Sequence, residues 1–149
     1  CGALGADWWG FKMESFDGIQ ENIALVDRVP GGCAIVHSDS EEGIQRLNQE
    51  AAKVMANAKR VGIDIQPEHA ILWLTQNPAK AMGILDQTGT LEAGKMADVV
   101  LWNGNPFSSY AQAEQVYVDG ARLYDRRDRS RQPTSDFLLG QDVMRGGVR

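Results

Sequence analysis

The stretch Cys33-Ala34-Ile35-Val36-His37-Ser38-Asp39-Ser40 sets an imidazole, a hydroxyl and a carboxylate directly after a short apolar run. A carboxylate held in a fixed place can orient a water, take its proton and pass it to a leaving amine. It can also hold a divalent metal that lowers the pKa of that water. An apolar run without alternation reads as a parallel strand buried on both faces. In barrels of alternating strands and helices, the C-terminal tips of the strands face the active site. Asp39 sits at such a tip. The same residues also read as a helix start: Ser38, Asp39 and Ser40 are capping types, and Ser38 with Glu41 fits a capping box. Sequence leaves both roles of Asp39 open, and they are compatible.

Other side chains offer less. His37 reads either as pocket lining or as a hydrogen-bonded structural residue. His69 falls inside a helical pattern and reads as structural. The two histidines form no HxH or HExxH pair, so this chain cannot supply a full catalytic zinc set. Trp8 and Trp9, followed by Gly10-Phe11-Lys12-Met13-Glu14, read as a substrate-pocket wall or as a hydrophobic plug under a loop. Lys12 and Glu14 read as surface charges or, less simply, as substrate contacts. Cys1 and Cys33 make no CxxC pair and no disulfide framework, and Cys33 reads as a small core residue. There is no serine elbow and no phosphate loop, since Gly2-Ala3-Leu4-Gly5 is only a weak glycine pair.

The elements that would position these groups follow an α/β rhythm. A strand is expected around Ala3, then a glycine- and aromatic-rich loop to residue 18. A helix is expected over 19–28 with Ile19, Ile23 and Val26 on one side, stopped by Pro30-Gly31-Gly32. After the Cys33–Val36 strand, the longest helix is expected over 41–60. Its stripe is Ile44, Leu47, Ala51, Val54, Met55 and Ala58. Pro67 fits a helical first turn with Ala70, Ile71 and Leu74 buried. Asn77 reads as the cap of another short helix, with Pro78 at its first position and Gly83 closing it. The texture then turns to β: Val99–Trp102, and a hairpin Val116–Val118/Ala121–Tyr124 around Asp119-Gly120. Beyond Pro133 only Phe137-Leu138-Leu139 stands out, as an apolar anchor in an irregular tail.

Composition bounds the partners. With 149 residues, 43% hydrophobic and 23% charged, the chain can build a real core. No apolar run approaches the ~18 residues of a membrane span, and none is expected. From Asp125 onward there are six arginines against four aspartates, so the rest carries about −7 of the net −5. An acidic body argues against nucleic-acid binding. The mixed-sign run 125–131 reads as a solvated face. The chain opens on Cys1 rather than Met, in mid-pattern. It is expected to continue upstream, with any targeting signal there, so the compartment stays open.

Three ordered motifs carry a resemblance. They are His37-Ser38-Asp39; Gln66-Pro67-Glu68-His69-Ala70 running to Thr75-Gln76-Asn77-Pro78-Ala79-Lys80-Ala81-Met82-Gly83; and Gly89-Thr90-Leu91-Glu92-Ala93-Gly94-Lys95-Met96-Ala97-Asp98-Val99-Val100. Over residues 8–125 the chain resembles the C-terminal part of the amidohydrolase superfamily, closest to its imidazolonepropionase-like and prolidase-like members. The resemblance implies an α/β fold, the last units of a (β/α)8 TIM-type barrel followed by strands of a small composite β-sandwich. The expected division is a barrel segment over 1–85, a sandwich segment over 86–125 and a tail over 126–149. It further implies hydrolysis of amide-type C–N bonds in a small-molecule substrate, with a divalent metal, commonly zinc, in the complete enzyme. Asp39 would be the metal-site and catalytic carboxylate on the eighth strand. Trp8 and Trp9, following the seventh, and His37 would line the substrate pocket. Asp98 and Lys95 match the signature as structural residues. The segment alone is expected to be inactive, to need the remainder of the chain, and to self-associate through open strands. The alternative is a non-catalytic, amidohydrolase-derived binding or assembly module.

Overall fold

The computed structural model describes residues 1–133. The expected Phe137-Leu138-Leu139 anchor lies outside them. Strand β1 (Gly2–Gly5) pairs in parallel with β2 (Ala34–His37), in the register Gly2↔Ala34 to Gly5↔His37. Parallel neighbours require a crossover, and helix α1 (Asn22–Asp27) supplies it. The expected α/β rhythm is therefore present, and the mixed architecture holds. Helix α1 is shorter than 19–28 and buries Ile23 and Ala24. Ile19 and Val26, expected beside Ile23, are 51% and 36% exposed. Asn22 explains the late start: its amide donates to the Gly5 carbonyl at 3.0 Å, tying the helix to the end of β1.

The long helix also begins late. Gly43–Arg46 forms a 3-10 turn, and α2 runs Leu47–Arg60. The turn rotates Ile44 off the stripe, leaving it 58% exposed, while Ala51, Val54 and Ala58 are buried as expected. Helix α3 (Pro67–Ala70) starts at its proline, and a 3-10 turn over Ile71–Trp73 leads to α4 (Gln76–Met82). Asn77 is not a cap. It lies inside α4, and its amide donates to the Ala34 carbonyl of β2 at 2.8 Å. Thr75 holds the N-cap position, and Gly83 closes the helix at φ 74°.

The core joins Ala34 and Val36 of β2 to Ile23, Ala24, Ala51, Val54, Ala58, Ala70 and Trp73. Trp73 is fully buried, and its indole N–H donates to Asp27 Oδ1 at 2.9 Å. His69 Nε2 bonds the other oxygen of the same carboxylate at 2.7 Å. The buried indole and the half-exposed imidazole thus share one carboxylate. His69 is structural, as expected.

The remaining strands form a separate antiparallel sheet in the order β3 (Val99–Trp102), β4 (Ala113–Val118), β5 (Ala121–Asp125). Asp119 (φ 49°) and Gly120 (φ 75°) make the two-residue turn between β4 and β5 with positive φ at both positions. Asp98 pins this turn. It accepts from the Asp119 N–H at 2.9 Å and from the Thr88 hydroxyl at 2.8 Å, and these bonds hold its carboxyl below the usual aspartate range. Lys95 donates to the Leu85 carbonyl and to Thr90 Oγ1, each at 2.6 Å. Both signature residues therefore do the structural work expected of them. The sheet meets the helical part where Phe107 packs on the core and Asn48 donates to the Pro106 carbonyl at 2.6 Å.

The cysteine expectation needs correction. Cys1 and Cys33 are disulfide-bonded across β1 and β2. Their separation of 32 residues hid the pairing, which only the parallel register creates.

Gly89 has φ +89°, and a Cβ there would lie 2.5 Å from Ala79 Cβ and 3.1 Å from the Thr75 carbonyl. Gly89→Ala should lower stability by about 1–3 kcal/mol, from strain plus overpacking. Denaturant unfolding of the two proteins checks it, and an unchanged midpoint would show that this loop is not fixed against α4.

Candidate functional site

The tips of β1 and β2 point the same way, so their following loops meet at one rim. After β2, His37 and Asp39 lie side by side, with Nε2 and Oδ1 hydrogen-bonded at 2.7 Å. Their side chains are 45% and 74% exposed. After β1, Ala6 is buried and the chain folds back through Trp8–Ser15. Trp8 and Phe11 pack edge to face at 4.6 Å between ring centres. Lys12 Nζ stands 5.1 Å from the centre of the Phe11 ring. Gly5, Trp8, Phe11, Lys12, Ser15, His37 and Asp39 together line a cavity of about 240 Å³. Gly5 makes room for the indole, because a Cβ there would stand 2.7 Å from a Trp8 ring carbon.

The cap reading of this region goes to another residue. Ser40 Oγ accepts from the N–H groups of Glu42 (3.2 Å) and Gly43 (3.1 Å). Ser38 Oγ accepts from the Ser40 N–H at 3.2 Å. The Asp39 carboxylate bonds to His37 through Oδ1 instead, and its side chain stays 74% exposed. Sequence offered capping and chemistry for one residue, and the loop divides them between neighbours.

The structure gathers Trp8, His37 and Asp39 around one cavity. Trp9 is 47% exposed and does not line that cavity. Phe11 and Lys12, from the stretch read as a pocket wall or plug, do line it, and so does Ser15, which the sequence reading did not assign. It also passed over Glu50, although a glutamate three residues after Leu47 and four before Val54 stands on the apolar stripe. Glu50 is 5% exposed, and its Oε2 has no hydrogen-bond partner among the described residues. Burial pushes its carboxyl above the usual value, the nearby Asp7 charge adds to the push, and Lys53, Arg46 and His37 oppose it. Asp7 in turn is paired with Lys53.

No helix of the described residues is long and apolar enough to cross a membrane. Among the described residues no group of three or more His, Cys, Asp or Glu side chains could hold a metal ion. Asp39 fits one ligand position and His37 already bonds to it, so the donor set here is not a metal site by itself.

Residues 32–127 match the family model described as "Amidohydrolase family". The chain belongs to the amidohydrolase family. Its match begins beside Cys33 and covers β2, Asp39, all the later helices and the antiparallel sheet. An imidazolonepropionase from Shewanella pealeana is 38% identical over 69 residues, which are 46% of this chain and 16% of that protein. One from Mesorhizobium japonicum is 35% identical over 68 residues, again 46% and 16%. One from Brucella suis is 56% identical over 36 residues, 24% of this chain and 9% of the relative. The crystal structure of an amidohydrolase from Thermotoga maritima MSB8 superposes with a TM-score of 0.61 and 36% identity. It covers 79% of this chain and 29% of that one. The matched stretch is thus 16% or less of the length of these curated relatives. Amidohydrolases generally use divalent metals.

Glu50 carries a pH signature. Its folded pKa lies above the usual 4.5, so the folded chain holds this proton more tightly than the unfolded one. That contribution is fully present below the unfolded value and is lost as pH rises through the folded one. Glu50→Gln should therefore flatten the decline in stability above pH ~5 and match or exceed the parent near pH 7.5. Thermal unfolding across pH 4–8 checks this. A larger loss for the variant at pH 7.5 than at pH 4.5 would mean that the buried charge itself is used.

Proposed function

We propose that this chain is the C-terminal portion of a metal-dependent amidohydrolase that cleaves amide-type C–N bonds in a peptide-like or cyclic small-molecule substrate. The observation that carries the reading is Asp39: an open carboxylate at a strand tip, steered by His37, beside an aromatic-walled cavity, inside the family-matched segment. On this reading β1 and β2 are the last two strands of a (β/α)8 barrel. Residues 1–85 belong to the barrel, 86–125 to a small β-sandwich and 126–149 to a tail. The remaining strands and metal ligands come from the rest of the protein.

A divalent metal of the kind this family uses, commonly zinc, would lower the pKa of the attacking water when the complete protein holds it. The chain's own contribution is Asp39, which occupies one ligand position, accepts a proton on a carboxylate oxygen and returns it to the leaving nitrogen. His37 Nε2 holds that carboxylate in place from one side. Trp8 and Phe11 supply an apolar wall for the substrate and exclude water from the reacting bond. Trp9 stands as a peripheral contact at most. The segment alone is inactive and holds zinc weakly, because Asp39 and His37 are too few ligands for a tight site.

A second reading, a non-catalytic binding or assembly module, draws on one observation. Val100, Leu101, Val118 and Leu123 of the antiparallel sheet are 43–59% exposed, and exposed apolar strands invite pairing. Size-exclusion of this segment with and without the rest of the protein separates the two. Association that persists in the complete, metal-loaded protein favours the module, and a monodisperse complete protein favours the enzyme.

Asp39→Asn in the complete enzyme should reduce kcat by on the order of 10²-fold or more and leave the unfolding midpoint nearly unchanged, since Ser40 rather than Asp39 caps the following turn. Steady-state kinetics with amide substrates, run beside thermal unfolding, check both halves. Parental activity in the variant would remove Asp39 from the chemistry.

A further inference from the structure

We propose that the Cys1–Cys33 bond is a redox lock that fixes β1 in register on β2 and so holds the Trp8–Ser15 loop against His37 and Asp39. Cys1 and Cys33 directly precede Gly2 and Ala34, which are register partners, and the Gly2 N–H donates to the Cys33 carbonyl at 2.7 Å. The covalent link therefore sits at one end of a four-residue parallel pair, and the catalytic rim sits at the other. Parallel strands have no hairpin to set their register, and a slip of one residue would turn every side chain to the opposite face. Such a slip would also carry Trp8, Phe11 and Lys12 along β1 away from Asp39. The lock reaches α4 as well: Cys1 Sγ lies 3.8 Å from the Asn77 carbonyl oxygen, and the Asn77 amide holds the Ala34 carbonyl.

The two halves of the bond differ in access. Cys1 is exposed, whereas Cys33 is only 9% exposed and borders the apolar core. A thiolate reductant attacks Cys1 Sγ and breaks the S–S bond, forming a mixed disulfide and releasing Cys33 as a thiolate that takes a proton. A second thiolate frees Cys1, and the reductant leaves as its own disulfide, having given two electrons. Closure is the reverse: two thiols lose two protons and two electrons to a disulfide-class oxidant such as glutathione disulfide. Opening releases a segment closed at a sequence separation of 32 that contains Gly5, Trp8, Phe11, Lys12 and Ser15 of the cavity wall, so order is lost first at the rim rather than in the antiparallel sheet.

The test uses the complete protein equilibrated with glutathione disulfide and does not depend on its reaction. Iodoacetamide with mass analysis should modify neither cysteine, and both should react after a phosphine reductant. Reduction should raise amide hydrogen exchange over Gly2–Gly5 and Ala34–His37 by about tenfold or more and leave β3–β5 unchanged. A Cys1→Ser, Cys33→Ala double variant should exchange fast at these strands with or without reductant. If that variant does not fold, the oxidised and reduced parent decide alone. Alkylation of both cysteines without reductant, or equal exchange at β2 in the two redox states, overturns the lock. Absence of amide hydrolysis in the oxidised, metal-loaded complete protein would count against the enzyme reading and would not touch the lock, which the exchange and alkylation results decide.

Discussion

Pairing between Gly2–Gly5 and Ala34–His37 is the constraint on which the rest of the molecule hangs. Because the strands run parallel, both chains leave the sheet at the same end. The loop after β1 and the loop after β2 must then share a rim, and the aromatic wall and the carboxylate meet there although their residues are about thirty apart in sequence. The crossover helix α1 covers one face with Ile23 and Ala24, and α2 adds Ala51, Val54 and Ala58. Small side chains dominate this core, which lets helices approach the sheet closely but buries little area per residue. Specific polar ties therefore matter more than they would in a larger core.

Those ties run to β2 and α1. Asn77 reaches from α4 to the Ala34 carbonyl, and Asp27 at the end of α1 collects Trp73 and His69 from the segment after α2. Trp73, fully buried, packs this helical segment into the core together with Ala70. The end of the sheet with Cys1, Cys33 and Asp27 is thus built for stability, and the other end is left open. On the proposed reading, this division corresponds to that of barrel units, where strand tips carry chemistry and the opposite face carries the fold.

Charge and exposure separate two carboxylates. Asp39 is solvated and steered by an imidazole. Glu50 is buried beneath the rim and shifted toward its protonated form by desolvation. Asp7 lies between these regimes, neutralised by Lys53. The same residue chemistry therefore yields one group available to a ligand and one that loads the fold with a pH dependence.

Local rules made much of this legible. Apolar continuity marked β2, Pro67 and Gly83 marked helix ends, and Asp119-Gly120 marked the hairpin, because each of these depends on backbone preferences within a few residues. The ordered motifs from His37 to Val100 placed the chain among amidohydrolases. What sequence could not decide depended on partners far along the chain. Asn77 looks like a cap until the Ala34 carbonyl is beside it. Ile44 looks like core until a 3-10 turn at Gly43 rotates it outward. Asp39 and Ser40 are equally good caps until the loop gives the amides to one and the imidazole to the other. Cys1 and Cys33 look unrelated until a parallel register sets them opposite each other. Sequence by itself determined the element types, the turn residues and the family. Only the tertiary structure decided which polar groups meet, because hydrogen bonds and disulfides depend on distance in space, and a register shift of one residue would change every such pair.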